Sequence, residues 1–308
     1  MVDFRYHLVS IVAVFLALAT GIAIGATALN GGLVHNLNGQ IRRLISEKDQ
    51  LRSEYQNVRR EADDGSNFMK AITPGLVTSA AKGKRVVVVS LPNADKASRD
   101  QALATLGTAG AIITAQIRVS EKAIDPQSSA LIDDLASRLV PATVVLPSGE
   151  AAGRLATVLG AVLARRGVPT ASEQADITRV VTGLREAGMI EVDGKATVGG
   201  GAVVLAAVPQ PQANSTRDVF SLALTRSLDA SGEGTVVVGP AAASQSGGTI
   251  GTVRADARTA LVVSTVDDMD RPMGALTLVR ALLEQLKGGV GQYGTGVGAT
   301  AIIATAAR

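Results

Sequence analysis

The amino-acid sequence predicts an α/β protein in which an N-terminal transmembrane helix and a coiled-coil helix precede an open, mostly parallel sheet with helices on both faces. Three observations predict it. An uncharged apolar run, Leu8 to Leu29, stands near the start; an apolar repeat follows from Leu37 to Ala62; and from Val86 onward short β-branched runs alternate with segments of helix length. Parallel strands need crossover connections of about a dozen residues, usually helices, so the alternation points to a sheet covered on both sides.

The first run holds about 22 residues, which at roughly 1.5 Å each make a helix just over 30 Å long, the hydrocarbon thickness of a bilayer. Ala26-Thr27-Ala28 has the small-x-small form of a leader cleavage site, and Arg5 supplies a basic start. The apolar core is longer than the roughly 7–15 residues of a secretory leader, so an uncleaved anchor is expected. Within it Ala17, Gly21 and Gly25 recur every fourth residue on one helical face, where small side chains let two backbones approach closely. Such residues are also simply common in membrane helices.

Beyond a polar stretch bearing Asn and Gly, the residues Leu37, Ile41, Leu44, Lys48, Leu51, Tyr55, Val58 and Ala62 alternate spacings of four and three, a heptad seam. Leu37, Leu44, Leu51 and Val58 take the d positions; Ile41, Lys48, Tyr55 and Ala62 take the a positions. Lys48 at an a position favours a low-order oligomer, and a parallel homodimer is expected. A lone amphipathic helix packed on the following domain would carry a similar stripe.

Gly65, Pro74 and Gly75 are expected to end this helix. A buried strand then covers Val86–Leu91, a helix Lys96–Leu106, a strand Ala111–Ile117, a helix Ser128–Val140, a brief strand Thr143–Leu146 and a helix Glu150–Arg165. The second half repeats this more loosely: helix Ala175–Ala187, a turn at Asp193-Gly194, strand Ala202–Val208, a break at Pro209-Gln210-Pro211, helix Thr216–Leu228 and strand Thr235–Val238. A Ser/Gly loop, strand Ala260–Thr265, helix Pro272–Leu286, a Gly-rich stretch and a last strand Ala299–Ala304 complete the pattern. The expected organisation is an anchor over 1–30, a stalk over 31–73 and an α/β domain over 74–308, as one sheet or as two subdomains split near Gln210.

Composition excludes several functions. The 30 basic and 27 acidic residues are interspersed, without a basic block or interleaved aromatics, so no nucleic-acid partner is expected. There is no Cys, and the two histidines, His7 and His35, flank the apolar run. Ser-His-Asp and Cys-His catalysis, and typical zinc or copper sites, need imidazole or thiolate, so neither can be assembled after Gly65 and no enzyme is expected.

Three features invite a chemical reading. The run Gly288 to Gly298 looks like a phosphate cradle, but such glycines follow a strand and open a helix, whereas these follow a helix and lead into a strand. A structural or partner-contacting loop is expected. Asp267, Asp268 and Asp270 stand where a strand should end and could hold a hard cation; the plainer reading is that they cap the next helix. Met269 and Met273 could add thioethers to a copper site, with core packing the plainer reading. Asn214-Ser215-Thr216 fits a glycosylation acceptor or a helix cap, and no pair of acids is spaced for hydrolase chemistry.

The opening Asp3-Phe4-Arg5-Tyr6-His7-Leu8-Val9-Ser10, with Phe15-Leu16-Ala17-Leu18-Ala19 and Gly21 to Gly25, resembles the start of the actinobacterial copper transporter family. Ser264-Thr265-Val266-Asp267-Asp268, Gly274, Leu283-Glu284-Gln285-Leu286-Lys287-Gly288-Gly289 and Gln292-Tyr293-Gly294-Thr295-Gly296 resemble its C-terminal signature. The resemblance implies copper efflux and homeostasis, with copper as the transported ion and pore formation at the outer membrane. It also implies a second role: a single-pass scaffold of cell separation, with the N-terminus in the cytoplasm, a cytoplasmic protein partner and an envelope hydrolase.

Overall fold

A computed structural model of the chain describes residues 4–194, 196–210 and 215–305, with side chains described except over 27–36. Thr27 and Ala28 of the cleavage-like motif, His35, Pro211 and Asn214 therefore lie wholly or in part outside the described residues. The chain divides into two compact units, Met1–Gly65 and Ser66–Arg308.

The first unit is helical. Helix α1 runs continuously from Phe4 to Val77, with Pro74 inside it, so neither the Asn/Gly stretch nor Gly65 ends it. Each helical Gly costs only about 1 kcal/mol relative to Ala, too little to interrupt a helix rich in Ala, Leu, Arg and Glu. The helix runs three residues past Pro74, whose carbonyl accepts from Thr78 N at 2.9 Å and Thr78 Oγ1 at 2.6 Å at its end. Phe4–Ala26 is long and apolar enough to cross a membrane. Its side chains are exposed, and so are the seam residues, from Leu37 at 49% to Leu51, Tyr55 and Val58 at 65%.

Because α1 is continuous, its two pairing features share one helical frame. At about 100° per residue Gly25 and Leu37 are roughly 120° apart around one helix. In the heptad frame of the seam, Ala17, Gly21 and Gly25 fall at e, b and f positions. The small-residue face and the seam are therefore different faces of α1.

The second unit is built on one seven-stranded sheet, β1 Arg85–Ser90, β2 Ile112–Val119, β3 Ile190–Asp193, β4 Gly201–Leu205, β5 Gly234–Val238, β6 Ser264–Val266 and β7 Gln292–Tyr293, in the order β3-β2-β1-β4-β5-β6-β7. All neighbours are parallel except β3, which runs antiparallel to β2 at the edge. Strands from both sides of Gln210 thus share one sheet. The helices are α2 Lys96–Thr108, α3 Ser129–Leu139, α4 Ala151–Leu163, α5 Ala171–Glu186, α6 Ser215–Ser231, α7 Thr249–Ala255, α8 Ala257–Ala260 and α9 Gly274–Gln285. Every residue of β4, β5 and β6 is buried, as strands covered on both faces must be. The larger core packs Val87, Val89 and Val204 with α4, α5 and α6; the other face packs Val86, Val88, Val203 and Val236 with α2 and α9. The end of α1 joins a third cluster, where Val77 and Ala81 meet Ala109, Leu276 and Val279.

Three expectations fail, and one strand is not among those expected. Thr143–Leu146 is irregular: it is bounded by Pro141 and Pro147 and has no strand partner. The residues before the Asp193-Gly194 turn form β3, whose alternation is too short to stand out. The Ser/Gly loop contains α7, and Ala260 closes α8, so β6 starts only at Ser264. The last strand is β7, inside the glycine run, and Ala299–Ala304 contributes only a Tyr293–Ala301 bridge. Gln292 explains that choice: its amide donates to the Ala260 and Val263 carbonyls, both at 3.1 Å, and its Oε1 accepts from Thr265 Oγ1 at 2.7 Å, pinning β7 beside β6.

Candidate functional site

Strand β6 delivers Asp267 and Asp268 to the carboxyl edge of the sheet, the rim where open α/β folds place their sites. Both carboxylates are fully buried. Asp267 Oδ2 accepts from Arg254 Nη1 at 2.6 Å, and its Oδ1 accepts from the backbone N–H groups of Thr295 at 2.8 Å and Gly296 at 3.0 Å. Arg254, on α7 and only 5% exposed at the side chain, also donates to Thr265 Oγ1 at 2.8 Å, the Val297 carbonyl at 2.7 Å and the Tyr293 carbonyl at 2.8 Å. A buried ion pair is tolerable only when its remaining donors and acceptors are satisfied, and this one is.

The Gly-rich loop is the cover of that pair. Gly294 has φ +120°, and a Cβ there would overlap the Asp267 carboxylate; at Gly296 it would overlap Ser244 Oγ. The loop amides do cradle an anion, but the anion is the protein's own Asp267. The expected structural role follows, and the amides of Thr295 and Gly296 are already occupied.

Asp268 is different. Its Oδ2 accepts from Thr277 Oγ1 on α9 at 3.0 Å, while Oδ1 is buried without a partner. Burial pushes its pKa up to about 6; the Thr277 hydrogen bond opposes this and the neighbouring Asp267 adds to it. Neither acid caps α9, which starts behind Met273 with no side-chain cap. Asp270 is exposed, and its Oδ1 accepts from Ala241 N at 3.3 Å. Met269 is buried in the α2/α9 core, and Met273, half-buried, precedes α9 rather than sharing a helix with it. Among the described residues no group of three or more His, Cys, Asp or Glu is arranged to hold a metal ion.

Beside the ion pair lies a cleft of about 660 Å³ whose lining includes Asp218, Ser244, Thr252, Arg254 and Asp256. Its charged groups are engaged: Asp218 accepts from Thr252 Oγ1 at 3.3 Å, and Asp256 accepts from Thr259 N at 2.8 Å and Thr259 Oγ1 at 2.6 Å. Sequence reasoning singled out Asp267 and Asp268 but missed Arg254, Thr277 and Ser244. Arg254 carried one faint signal, a lone cation in a helix that is otherwise small and apolar; the two threonine and serine contacts carried none.

An apolar helix of membrane-spanning length, a heptad-patterned continuation and a doubly wound α/β unit with a buried Arg254–Asp267 pair at its rim define an α/β protein whose N-terminal helix fits a membrane anchor. The chain belongs to the family described as copper transport outer membrane protein, MctB, which matches residues 1–304. It is 30% identical over 313 residues to the copper transporter MctB of Mycobacterium tuberculosis (strain ATCC 25618 / H37Rv), covering 98% of this chain and 99% of that one. The Mycobacterium leprae protein of the same name is 27% identical over 314 residues, at the same coverage. These names indicate a copper transport protein.

Proposed function

We propose that this is a non-enzymatic, single-span homodimer of the cell envelope that serves copper homeostasis, with its short N-terminus in the cytoplasm and the α/β unit in the envelope. The observation that carries this reading is α1, which joins a spanning length to an exposed heptad face in one helix. Copper enters as cargo of the system the protein serves. Transmembrane barrel strands need about 9–11 residues with alternating faces, whereas the strands here run from 2 residues in β7 to 8 in β2, and the central ones are buried throughout. A single chain of this design offers no conduit, so its contribution to efflux is that of an anchored accessory.

One observation favours a second reading, a dimeric scaffold that regulates cell separation through a cytoplasmic partner and an envelope hydrolase. No His or Cys follows His35, which leaves thioethers and carboxylates as the copper-ligating groups of the α/β unit. A deletion strain separates the two. Copper sensitivity rescued by the full chain supports the copper role; chained cells with ordinary copper tolerance support the scaffold and overturn it.

A further inference from the structure

We infer that the stalk pairs with a second copy of this chain in a parallel, in-register coiled coil flanked by two repeated interchain ion pairs, Glu47 with Arg52 and Glu54 with Arg59 of the second copy. The inference rests on the homodimer proposed above and adds its geometry. With Leu44, Leu51 and Val58 at d and Ile41, Lys48 and Tyr55 at a, the g positions are Gln40, Glu47, Glu54 and Glu61 and the e positions are Ile45, Arg52 and Arg59. In a parallel, in-register pair the g residue of one heptad faces the e residue of the next heptad on the other helix, five positions on. That rule joins Glu47 to Arg52 and Glu54 to Arg59, twice over by symmetry, and sets Gln40 beside Ile45.

An antiparallel pair would instead bring g against g and e against e, Glu facing Glu and Arg facing Arg, so the same charges that favour one arrangement oppose the other. A one-heptad stagger would leave one Glu54 facing Ser66 and one Glu47 facing Ile45, so that three ion pairs, Glu47 with Arg59, Glu54 with Arg52 and Glu61 with Arg59, replace the four of the in-register pair. Lys48 adds a further restraint, because a lysine at a stands next to the partner's g carboxylate, here Glu47, only when the helices are parallel.

The single chain leaves these groups uncommitted. Among the described residues no ion pair involves α1, and Glu47, Arg52, Glu54 and Arg59 are all exposed. Glu54 has only a neutral neighbour, the amide of Gln50, donating to it at 2.9 Å. The seam that would bury against the second copy is equally open, with Leu44 at 64% and Leu51 at 65% exposure. An apolar stripe flanked on one side by Glu and on the other by Arg, at heptad spacing, is complementary to itself.

The absence of Cys makes a direct test possible in the full chain, expressed in a bacterial inner membrane and oxidised with diamide. Leu44→Cys and Val58→Cys, made singly at d positions two heptads apart, should each cross-link to itself. A pair staggered by one heptad would bring neither cysteine against its own copy. E47R/E54R and R52E/R59E should each lower self-cross-linking by about tenfold or more. Co-expression of the two should restore a mixed dimer, and the fourfold reversal E47R/E54R/R52E/R59E should behave like the parent chain. Failure of either cysteine variant to cross-link in a chain that still sediments as a dimer overturns the in-register seam alone. Undiminished cross-linking of both charge variants overturns the ion pairs, and a monomeric parent chain overturns the homodimer itself.

Discussion

Arg254 and Asp267 lie 13 positions apart in sequence and meet as a buried 2.6 Å ion pair, with side-chain exposures of 5% and 0%. Two buried charges make such a pair weak evidence of net stability against an apolar replacement, yet breaking it strands a guanidinium. Asp267→Asn keeps the shape and removes the charge. It should destabilise the α/β unit by about 3–5 kcal/mol, read as a shift in urea midpoint of the full chain in detergent. Because the pair is buried, raising the salt concentration should barely change that difference. A loss below about 1 kcal/mol, or one that vanishes in salt, would show that water reaches the pair.

Asp268 should give a signal that depends on pH. Its folded pKa, about 6, stands above the ordinary carboxylate value, so the native state binds more protons than the unfolded chain between roughly pH 4 and 6. Stability must therefore fall as pH rises through that window, and the unfavourable contribution is complete above it. Asp268→Asn keeps an acceptor for Thr277 and removes the charge. At pH 7.5 it should stabilise the protein by up to about 3 kcal/mol, since each tenfold difference in proton affinity between folded and unfolded chain is worth roughly 1.4 kcal/mol, and the gain should fade toward pH 4. Melting curves of both forms from pH 4 to 8 decide it; parallel curves would sink the assignment.

The glycine loop makes a steric prediction. At Gly294 the backbone φ of +120° and the nearness of the Asp267 carboxylate both exclude a side chain. Gly294→Ala should cost about 2 kcal/mol or more from strain and from displacement of the Thr295 and Gly296 amides. Gly288, also at positive φ but with open space around it, supplies the control: Gly288→Ala should show the backbone cost alone, about 1 kcal/mol. Equal losses at both positions would mean that the contact with Asp267 carries nothing.

Much of the fold was legible because its signals are local. Val86–Leu91 and Thr235–Val238 are β-branched runs bounded by turn residues, and Ala151–Leu163 repeats its apolar residues at helical spacing, so each element falls within a few residues of its expected place. What misled was composition without partners. Ala299–Ala304 is apolar but makes only a single bridge, at Ala301, while the two-residue β7 is held because Gln292 reaches two carbonyls ahead of β6 and Thr265 within it. At the rim, the acids were visible and their roles were not. Nothing near Asp267 in sequence announces Arg254, and a capping aspartate and a buried one look alike until the start of α9 is known. The continuity of α1 was hidden for a related reason, since Asn, Gly and Pro signal breaks only as averages, and flanking helix formers overrode them.

A continuous α1 also fixes which face of the apolar run follows the stalk. If the seam pairs α1 with its copy, the face that carries it through the apolar run comprises Ala13, Leu16, Thr20 and Ala23, the a and d positions in the same frame, and Gly21 points elsewhere. Leu44→Asp with Leu51→Asp puts two charges in a desolvated seam of the full chain, and self-association in detergent should be abolished in sedimentation. Gly21→Leu should leave the dimer intact, because at the b position a larger side chain meets lipid. The reverse result, a dimer that survives the paired aspartates and dissociates with Gly21→Leu, would move the contact from the seam to the small-residue face of the membrane segment. Loss in both variants would require α1 to bend between the two faces, bringing each in turn against the partner helix.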